Sequence, residues 1–116
     1  MTTAIIANLE KMLGGPRDGA LLRYSLGNEW LKAGDPAKAA TCFRDAIERD
    51  EKYSAAWKLL GKALAESGDI QAALDAYEQG LGVAEGKGDI QAAKEMRVFA
   101  KRLRKQLDED TSNASV

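Results

Sequence analysis

Apolar residues recur along most of the chain at spacings of three and four, the period of an amphipathic helix. In the first such segment, 3–13, the apolar positions are Ile5, Ile6, Leu9, Met12 and Leu13. Five further segments with the same period follow at about 19–33, 35–49, 54–67, 70–85 and 89–107. Glycine, aspartate and proline separate most of them, and these residues end helices or begin new ones. The pattern predicts an all-α fold of about six helices.

A second, longer period relates these segments to one another. Identical residues stand 34 positions apart at Leu26-Gly27 and Leu60-Gly61, at Gly34-Asp35 and Gly68-Asp69, and at Ala39 and Ala73. Tyr77 stands where the first copy has Phe43. A period of about 34 residues is typical of helix–turn–helix units that bury their apolar faces by stacking on one another.

A third Gly-Asp pair, Gly88-Asp89, opens the last segment. The six residues 68–73 are repeated letter for letter at 88–93, but only 20 positions on. The last helix therefore does not begin a full third unit. Asp18 and Asp35 also precede predicted helices, and we expect their carboxylates to accept backbone N–H groups of the first turn.

The composition is that of a single globular domain. The 116 residues carry a net charge of −1, with 45% hydrophobic and 30% charged residues, so neither disorder nor a global attraction to nucleic acid is expected. The lone Cys42 excludes an intrachain disulfide. No run approaches the ~18 apolar residues that span a membrane, and residues 1–13 lack the features of a secretory signal. We therefore expect a cytoplasmic protein.

The available residue types argue against an enzyme. The chain has no histidine, the commonest general base and metal ligand. Its carboxylates occur at helix starts, on helix surfaces and near the C-terminus, and no phosphate-loop or dinucleotide motif is present. Cys42 has no histidine to activate it. We expect no catalytic residues, no cofactor and no metal site.

The repeated positions resemble those of the tetratricopeptide repeat, a pair of helices with small and aromatic residues at fixed places. In repeat 54–87 these positions hold Trp57, Leu60, Gly61, Leu64, Ala73, Tyr77 and Gly80. In repeat 20–53 they hold Arg23, Leu26, Gly27, Trp30, Ala39, Phe43 and Ala46. The resemblance covers roughly 20–87 and implies a short α–α superhelix. The aromatic residues at packing positions, Trp30, Phe43, Trp57 and Tyr77, are expected in the core.

Some features depart from that family pattern. Arg23 takes the place of an aromatic residue, and Glu51 and Glu85 stand where a proline usually ends the unit. Two full units are also fewer than the roughly three that such arrays need. We therefore expect residues 1–17 and helix 89–107 to cap the TPR-like domain 18–107, and residues 108–116 to form a disordered tail. Whether helix 3–13 caps the stack or lies in its groove stays open.

The resemblance implies that the first helix of each unit lines a concave groove that binds a peptide or protein segment. By register, the groove positions are Leu21, Tyr24, Asn28 and Lys32, and Ala55, Lys58, Leu59 and Lys62. Tyr24 and Asn28, one turn apart, offer a ring and an amide, and Lys58 and Lys62 offer two cations. We expect these four residues to bind a partner that carries acidic side chains or a free carboxylate. Only Asn28 matches the clamp with which some family members hold chaperone C-termini, so that partner is not expected.

Two other functions stay open. Residues 87–107 hold seven Lys and Arg against two acids, and the cations Lys101, Arg102, Arg104 and Lys105 could hold nucleic acid phosphates. The acids at 108–110 and the lack of interleaved exposed aromatic residues favour a solvated capping face instead. A partly open apolar stripe on helix 3–13 or 89–107 could also pair two chains, so we expect a monomer or a weak homodimer. We expect no membrane binding, and nucleic acid is the less favoured alternative.

Overall fold

The structure, a computed structural model, describes residues 2–114 and the side chains of residues 3–111. Within this part the chain forms six helices: α1 Thr2–Glu10, α2 Ala20–Lys32, α3 Pro36–Arg49, α4 Ser54–Glu66, α5 Ile70–Lys87 and α6 Ile90–Ala114. Residues 2–114 contain no strand. The predicted all-α architecture of helix–turn–helix pairs is therefore confirmed.

The Gly-Asp pairs make the turns between helices. Gly34 and Gly68 have φ of +82° and +88°, a left-handed conformation that glycine adopts without steric cost. The backbone N–H of the aspartate that follows, Asp35 or Asp69, donates to the carbonyl five residues earlier at 2.9 Å. The two carboxylates accept a backbone N–H three residues on, at 3.1 and 3.2 Å. Each pair therefore ends one helix and begins the next, as predicted for Asp35.

The predicted N-cap at Asp18 is wrong. Gly19 precedes α2 and forms no side-chain cap, while Asp18 accepts the Gly14 N–H at 2.9 Å. The Asp18 carboxylate also accepts Nε and Nη2 of Arg23, each at 2.9 Å. This two-bond ion pair with a guanidinium has the planar geometry that arginine and a carboxylate prefer, and it uses both oxygens of Asp18. Because Arg23 also reaches Asp45 of α3 at 3.3 Å, the guanidinium joins the α1–α2 connection to the first repeat.

In each repeat, an aromatic ring of the second helix lies against a glycine of the first. A Cβ atom added to Gly27 would lie 2.5 Å from the Phe43 ring, and one added to Gly61 would lie 2.5 Å from the Tyr77 ring. Carbon atoms pack at about 3.5–4.0 Å, so only glycine lets the ring approach the helix this closely. Phe43 is 0% exposed and Tyr77 is 4% exposed. Their predicted place in the core is confirmed. The half-buried Trp30 and Trp57 pack against the cluster around Phe43, and Trp57 also packs against the cluster around Tyr77.

The helices form two layers. The inner layer consists of α2, α4 and α6, and the outer layer of α3 and α5. Some Cα atoms of α2 and α4 lie within 8 Å of one another, as do some of α4 and α6, whereas no Cα atom of α3 lies within 8 Å of one in α5. A stack whose inner helices lie closer together than its outer helices curves toward the inner layer. The inner layer is therefore concave, and a gap opens between α3 and α5.

The first and last helices pack at opposite ends of the stack. α1 is shorter than the predicted 3–13, and among the described helices it packs on α2 alone. It therefore covers the first repeat and does not lie across the concave surface. At the other end α6 packs along α5 and contributes the buried residues Ala93, Met96 and Ala100 to the core they share.

α6 extends beyond its predicted end. The sequence predicts a helix to 107 and a disordered tail from 108, but residues 108–114 are helical. Ser115 and Val116 lie outside the described residues. The apolar stripe stops at Leu107, but a helix that has already formed adds one backbone hydrogen bond per residue without needing an apolar face. The Thr111 hydroxyl also donates to the Leu107 carbonyl at 2.9 Å.

We expect Gly61→Ala to lower the free energy of unfolding by about 1–3 kcal/mol, because its methyl group would overlap the buried Tyr77 ring. Gly86→Ala is the matched control. Gly86 is an exposed residue of α5, and an added Cβ atom there meets nothing within 4 Å. That change should raise stability by up to about 1 kcal/mol. Urea denaturation gives the free energy of unfolding of the wild type and of both variants. A Gly61→Ala variant as stable as the wild type would contradict the ring-on-glycine packing.

We expect Asp18 to make stability fall at low pH. The Arg23 hydrogen bond, followed by that of the Gly14 N–H, lowers the pKa of Asp18 from 3.8 to about 2. A carboxyl group with a lowered folded-state pKa stabilises the fold above its unfolded pKa and loses that contribution as the pH falls through the folded value. Thermal denaturation between about pH 5 and pH 2 should therefore show a steeper loss for the wild type than for Asp18→Asn. Asp108→Asn, on the exposed end of α6, is the control, and parallel profiles for wild type and Asp18→Asn would refute the ion pair.

Candidate functional site

The four predicted partner-binding residues occupy two equivalent positions of the repeat. Tyr24 and Lys58 stand 34 residues apart, and so do Asn28 and Lys62. All four lie on α2 or α4, neighbouring helices of the concave inner layer. The structure thus places them on one layer, one turn apart within each helix, but their surroundings differ.

Tyr24 belongs to the junction between the two repeats. Its ring stacks on Tyr53, with centroids 4.9 Å apart and planes 26° from parallel, and tilts against Phe43 at 5.8 Å. Tyr53 directly precedes α4, and burial raises the pKa of its phenol. Aromatic pairs of this kind contribute about 0.5–1.5 kcal/mol beyond the area they bury. The half-buried Tyr24 is therefore first a packing residue, with part of its surface left exposed.

Lys58 occupies the equivalent position on α4. As Tyr24 joins the first repeat to the second, Lys58 joins the second repeat to α6. Its ammonium lies 2.8 Å from Glu95 Oε2, and the two side chains are 30% and 33% exposed. Gln91 donates to the other carboxylate oxygen at 2.9 Å. The hydrogen bond from Lys58, then that from Gln91, lowers the pKa of Glu95. The charge of Lys58 is thus balanced within the chain, and any partner must compete with Glu95 for it.

The repeat pattern does not identify Glu95 as the partner of Lys58, because α6 does not follow the 34-residue period. A signal for it does exist in the charge pattern. Glu95 and Asp89 are the two acids of the basic stretch 87–107, and an isolated acid among cations is a good candidate for an ion pair. Asp89 has an internal partner too, since the Ser54 hydroxyl donates to it at 2.7 Å. Both acids join α6 to the second repeat.

Asn28 and Lys62 have no internal partner between residues 2 and 114. The half-buried Asn28 amide offers two donors and an acceptor, and it makes no hydrogen bond within this part of the chain. The exposed Lys62 ammonium makes no ion pair there. A ligand could therefore bind either group by replacing water, without breaking a bond inside the protein. Of the four predicted residues, these two are the most available.

Lys101, Arg102, Arg104 and Lys105 are the cations that could hold nucleic acid phosphates, but not all four are free of ion pairs. Arg104 donates to Glu78 of α5 at 2.6 Å, while the other three have no ion-pair partner among the described residues. Phe99, the aromatic residue of α6, is half-buried with its ring 5.4 Å from that of Tyr77. It is not free to stack on a base, which is how proteins commonly hold single strands.

A second surface, which the sequence does not predict, lies on the outer layer. The gap between α3 and α5 opens onto α4 and has a volume of about 920 Å³. We call it the outer groove; its apolar lining consists of the half-buried Trp57 and Val83 and of Ile47, Leu60 and Leu64, which are only 8%, 4% and 6% exposed, and its charged rim consists of Arg44, Glu48, Glu51 and Asp75. None of these four charged residues forms an ion pair within residues 2–114. The groove results from the curvature of the stack, which a repeat period does not specify.

A sequence profile of the tetratricopeptide repeat (TPR) matches residues 24–94, most of the chain. The chain belongs to the tetratricopeptide repeat family. The match begins at Tyr24 of α2 and reaches into α6, so it includes nearly all of both repeats. The predicted family is confirmed.

This TPR protein is similar to the TPR repeat-containing protein PA0015 of Pseudomonas aeruginosa. The two are 52% identical over 99 residues, which are 85% of this chain and 94% of the relative. Among solved structures, protein BPP2914 from Bordetella parapertussis is 40% identical with a TM-score of 0.76, over 88% of this chain and 89% of that one. The Sgt2 TPR domain from Aspergillus fumigatus is 26% identical with a TM-score of 0.80, over 97% of this chain and 72% of that one.

Membership of the TPR family supports a general function. Repeat proteins of this kind present extended concave surfaces to other proteins and are in general scaffolds, not enzymes. The chain is accordingly a protein–protein interaction module of this family. No described helix is both long enough and apolar enough to cross a bilayer.

Proposed function

We propose that this TPR protein is a cytoplasmic adaptor whose concave inner layer binds a peptide or protein segment. The contact residues are Tyr24, Asn28, Lys58 and Lys62. The observation that supports this most directly is the pair Asn28 and Lys62, whose polar groups have no partner within residues 2–114 although they occupy equivalent positions on neighbouring helices.

The proposed mechanism is passive recognition by a preformed surface. The ring-on-glycine packing fixes α2 and α4 before a partner arrives, so little ordering of the protein opposes binding. The Asn28 amide can pair with both a carbonyl and an N–H of a partner backbone. Lys62 then takes a carboxylate, while Tyr24 offers the exposed part of its ring. No catalytic residue, cofactor, metal or membrane takes part.

Lys58 gives the surface a preference among acidic partners. A partner carboxylate near Lys58 must replace Glu95, because the two compete for one ammonium group. A segment with a single acidic group therefore binds through Lys62, and a segment with two closely spaced acidic groups also engages Lys58. We propose that such acidic protein segments, and not nucleic acid, are the partners, and that the chain acts as a monomer or weak homodimer.

The first test compares partner capture by the wild type and by the double variant Asn28→Ala, Lys62→Glu. We expect a protein segment that is retained from a lysate of the source organism, then made as a peptide, to bind the double variant at least about tenfold more weakly. The matched control is Asn8→Ala, Lys11→Glu, which makes the same two changes at exposed residues in and after α1. Titration calorimetry measures each affinity, and equal affinities for the two double variants would refute the proposal.

The second test uses a substitution that should strengthen partner binding. Glu95→Gln removes the internal competitor of Lys58 and one negative charge near the surface, so it should raise the affinity for an acidic segment severalfold. Glu109→Gln makes the same change in net charge at an exposed position near the end of α6. An equal effect of the two substitutions in the same titration would show that Lys58 takes no part in binding.

A further inference from the structure

The outer groove has the dimensions of a helix-binding site. Its lining on α5 runs from Ala72 to Val83, which at 1.5 Å per residue is about 16 Å, or about three helical turns. Leu60 and Leu64 lie one turn apart on α4 beneath it. A groove between two helices with apolar side chains along its floor is a surface on which an amphipathic helix can lay its apolar face.

The charges at the rim select the partner. Three carboxylates, those of Glu48, Glu51 and Asp75, stand against the single guanidinium of Arg44. Within residues 2–114 none of them is neutralised by an ion pair, and Asp75 accepts only the Gln71 amide at 3.1 Å. An excess of free anions around an apolar floor complements a segment in which cations flank an apolar stripe.

We propose that the outer groove binds a helical segment of another protein that carries apolar side chains on one face, flanked by lysine and arginine. This site is separate from the concave surface and opposite to it in charge preference, because among the four proposed contact residues Lys62 is the cation without an ion-pair partner in the described part of the chain. The chain can then join an acidic segment on its inner layer to a basic helix on its outer layer.

A second copy of the chain fits the groove less well than an outside helix. The basic helix of this chain, α6, uses most of its apolar stripe to pack against α5. The large apolar residues that it leaves exposed are Ile90 and Val98, at 67% and 47%. Two separated side chains would fill little of a groove three turns long.

Gly82 allows the groove to be blocked without damage to the fold. It lies in α5 and lines the groove, and a Cβ atom added there meets nothing within 4 Å. Gly86 is also exposed, lies one turn farther along the same helix and has the same open surroundings, but it does not line the groove. The substitution Gly82→Tyr therefore fills the groove, and Gly86→Tyr is the matched control.

The experiment measures binding of a fluorescent synthetic helix of about four turns, with leucine along one face and lysine elsewhere. We expect the wild type to bind it, Gly82→Tyr to bind at least about tenfold more weakly, and Gly86→Tyr to bind like the wild type. The charge-reversed variant Glu48→Lys, Asp75→Lys should also lose at least about tenfold, whereas Asp108→Lys, Glu109→Lys should not. Circular dichroism checks that each variant keeps its helices.

Several results would overturn the proposal. They are no binding by the wild type, equal affinity of the two tyrosine variants, or equally tight binding of a peptide with glutamate in place of lysine. A concentration-dependent mass that Gly82→Tyr abolishes would instead place a second copy of the chain in the groove. The variant Asn28→Ala, Lys62→Glu must keep its affinity for the lysine peptide, and this separates the outer groove from the concave surface.

Discussion

The contact between an aromatic ring and a glycine fixes the distance between the two helices of each repeat, and the rest of the structure depends on it. Phe43 on Gly27 and Tyr77 on Gly61 leave no room for a single added carbon. The same device recurs where the second repeat meets α6, because a Cβ atom on Gly80 would lie 2.6 Å from the sulfur of the fully buried Met96. Close-packed interiors cannot absorb such changes in volume, so helix spacing is fixed by these residues more than by any polar contact.

Because the stack of helices is curved, its inner and outer layers present two different surfaces. The inner helices α2, α4 and α6 approach closely, and their contacts include the Tyr24–Tyr53 stack between repeats and the Lys58–Glu95 ion pair. The outer helices α3 and α5 separate, and the gap between them is lined partly by the half-buried Trp57 and Val83. The inner layer therefore presents isolated polar groups on a surface that helix packing holds in place, and the outer layer presents an open groove with an acidic rim. The partners that we propose for the two surfaces differ because the shapes and free charges of the surfaces differ.

The sequence predicts those parts of the structure that local chemistry or the repeat period determines. The Gly-Asp turns, the core rings Phe43 and Tyr77 and the helix pairs all follow from residue type and spacing. The N-cap prediction for Asp18 is wrong because Arg23, five residues on, occupies both oxygens of its carboxylate. The contacts of Tyr24 and Lys58 depend on the position of the helix that follows in the stack. For Lys58 that helix is α6, and the 34-residue period does not predict its position. The outer groove depends on curvature, a property of the whole stack.

Nitrogen–proton correlation NMR of the chain, recorded during titration with the captured partner segment, tests whether the concave inner layer is the binding surface. The side-chain amide of Asn28 gives its own signals, so the proposed contact can be observed separately from the backbone. We expect these signals to shift together with the backbone signals of α2 and α4, while the backbone signals of α3 change little. Shifts confined to the exposed side of α6, with the Asn28 amide unaffected, would contradict it.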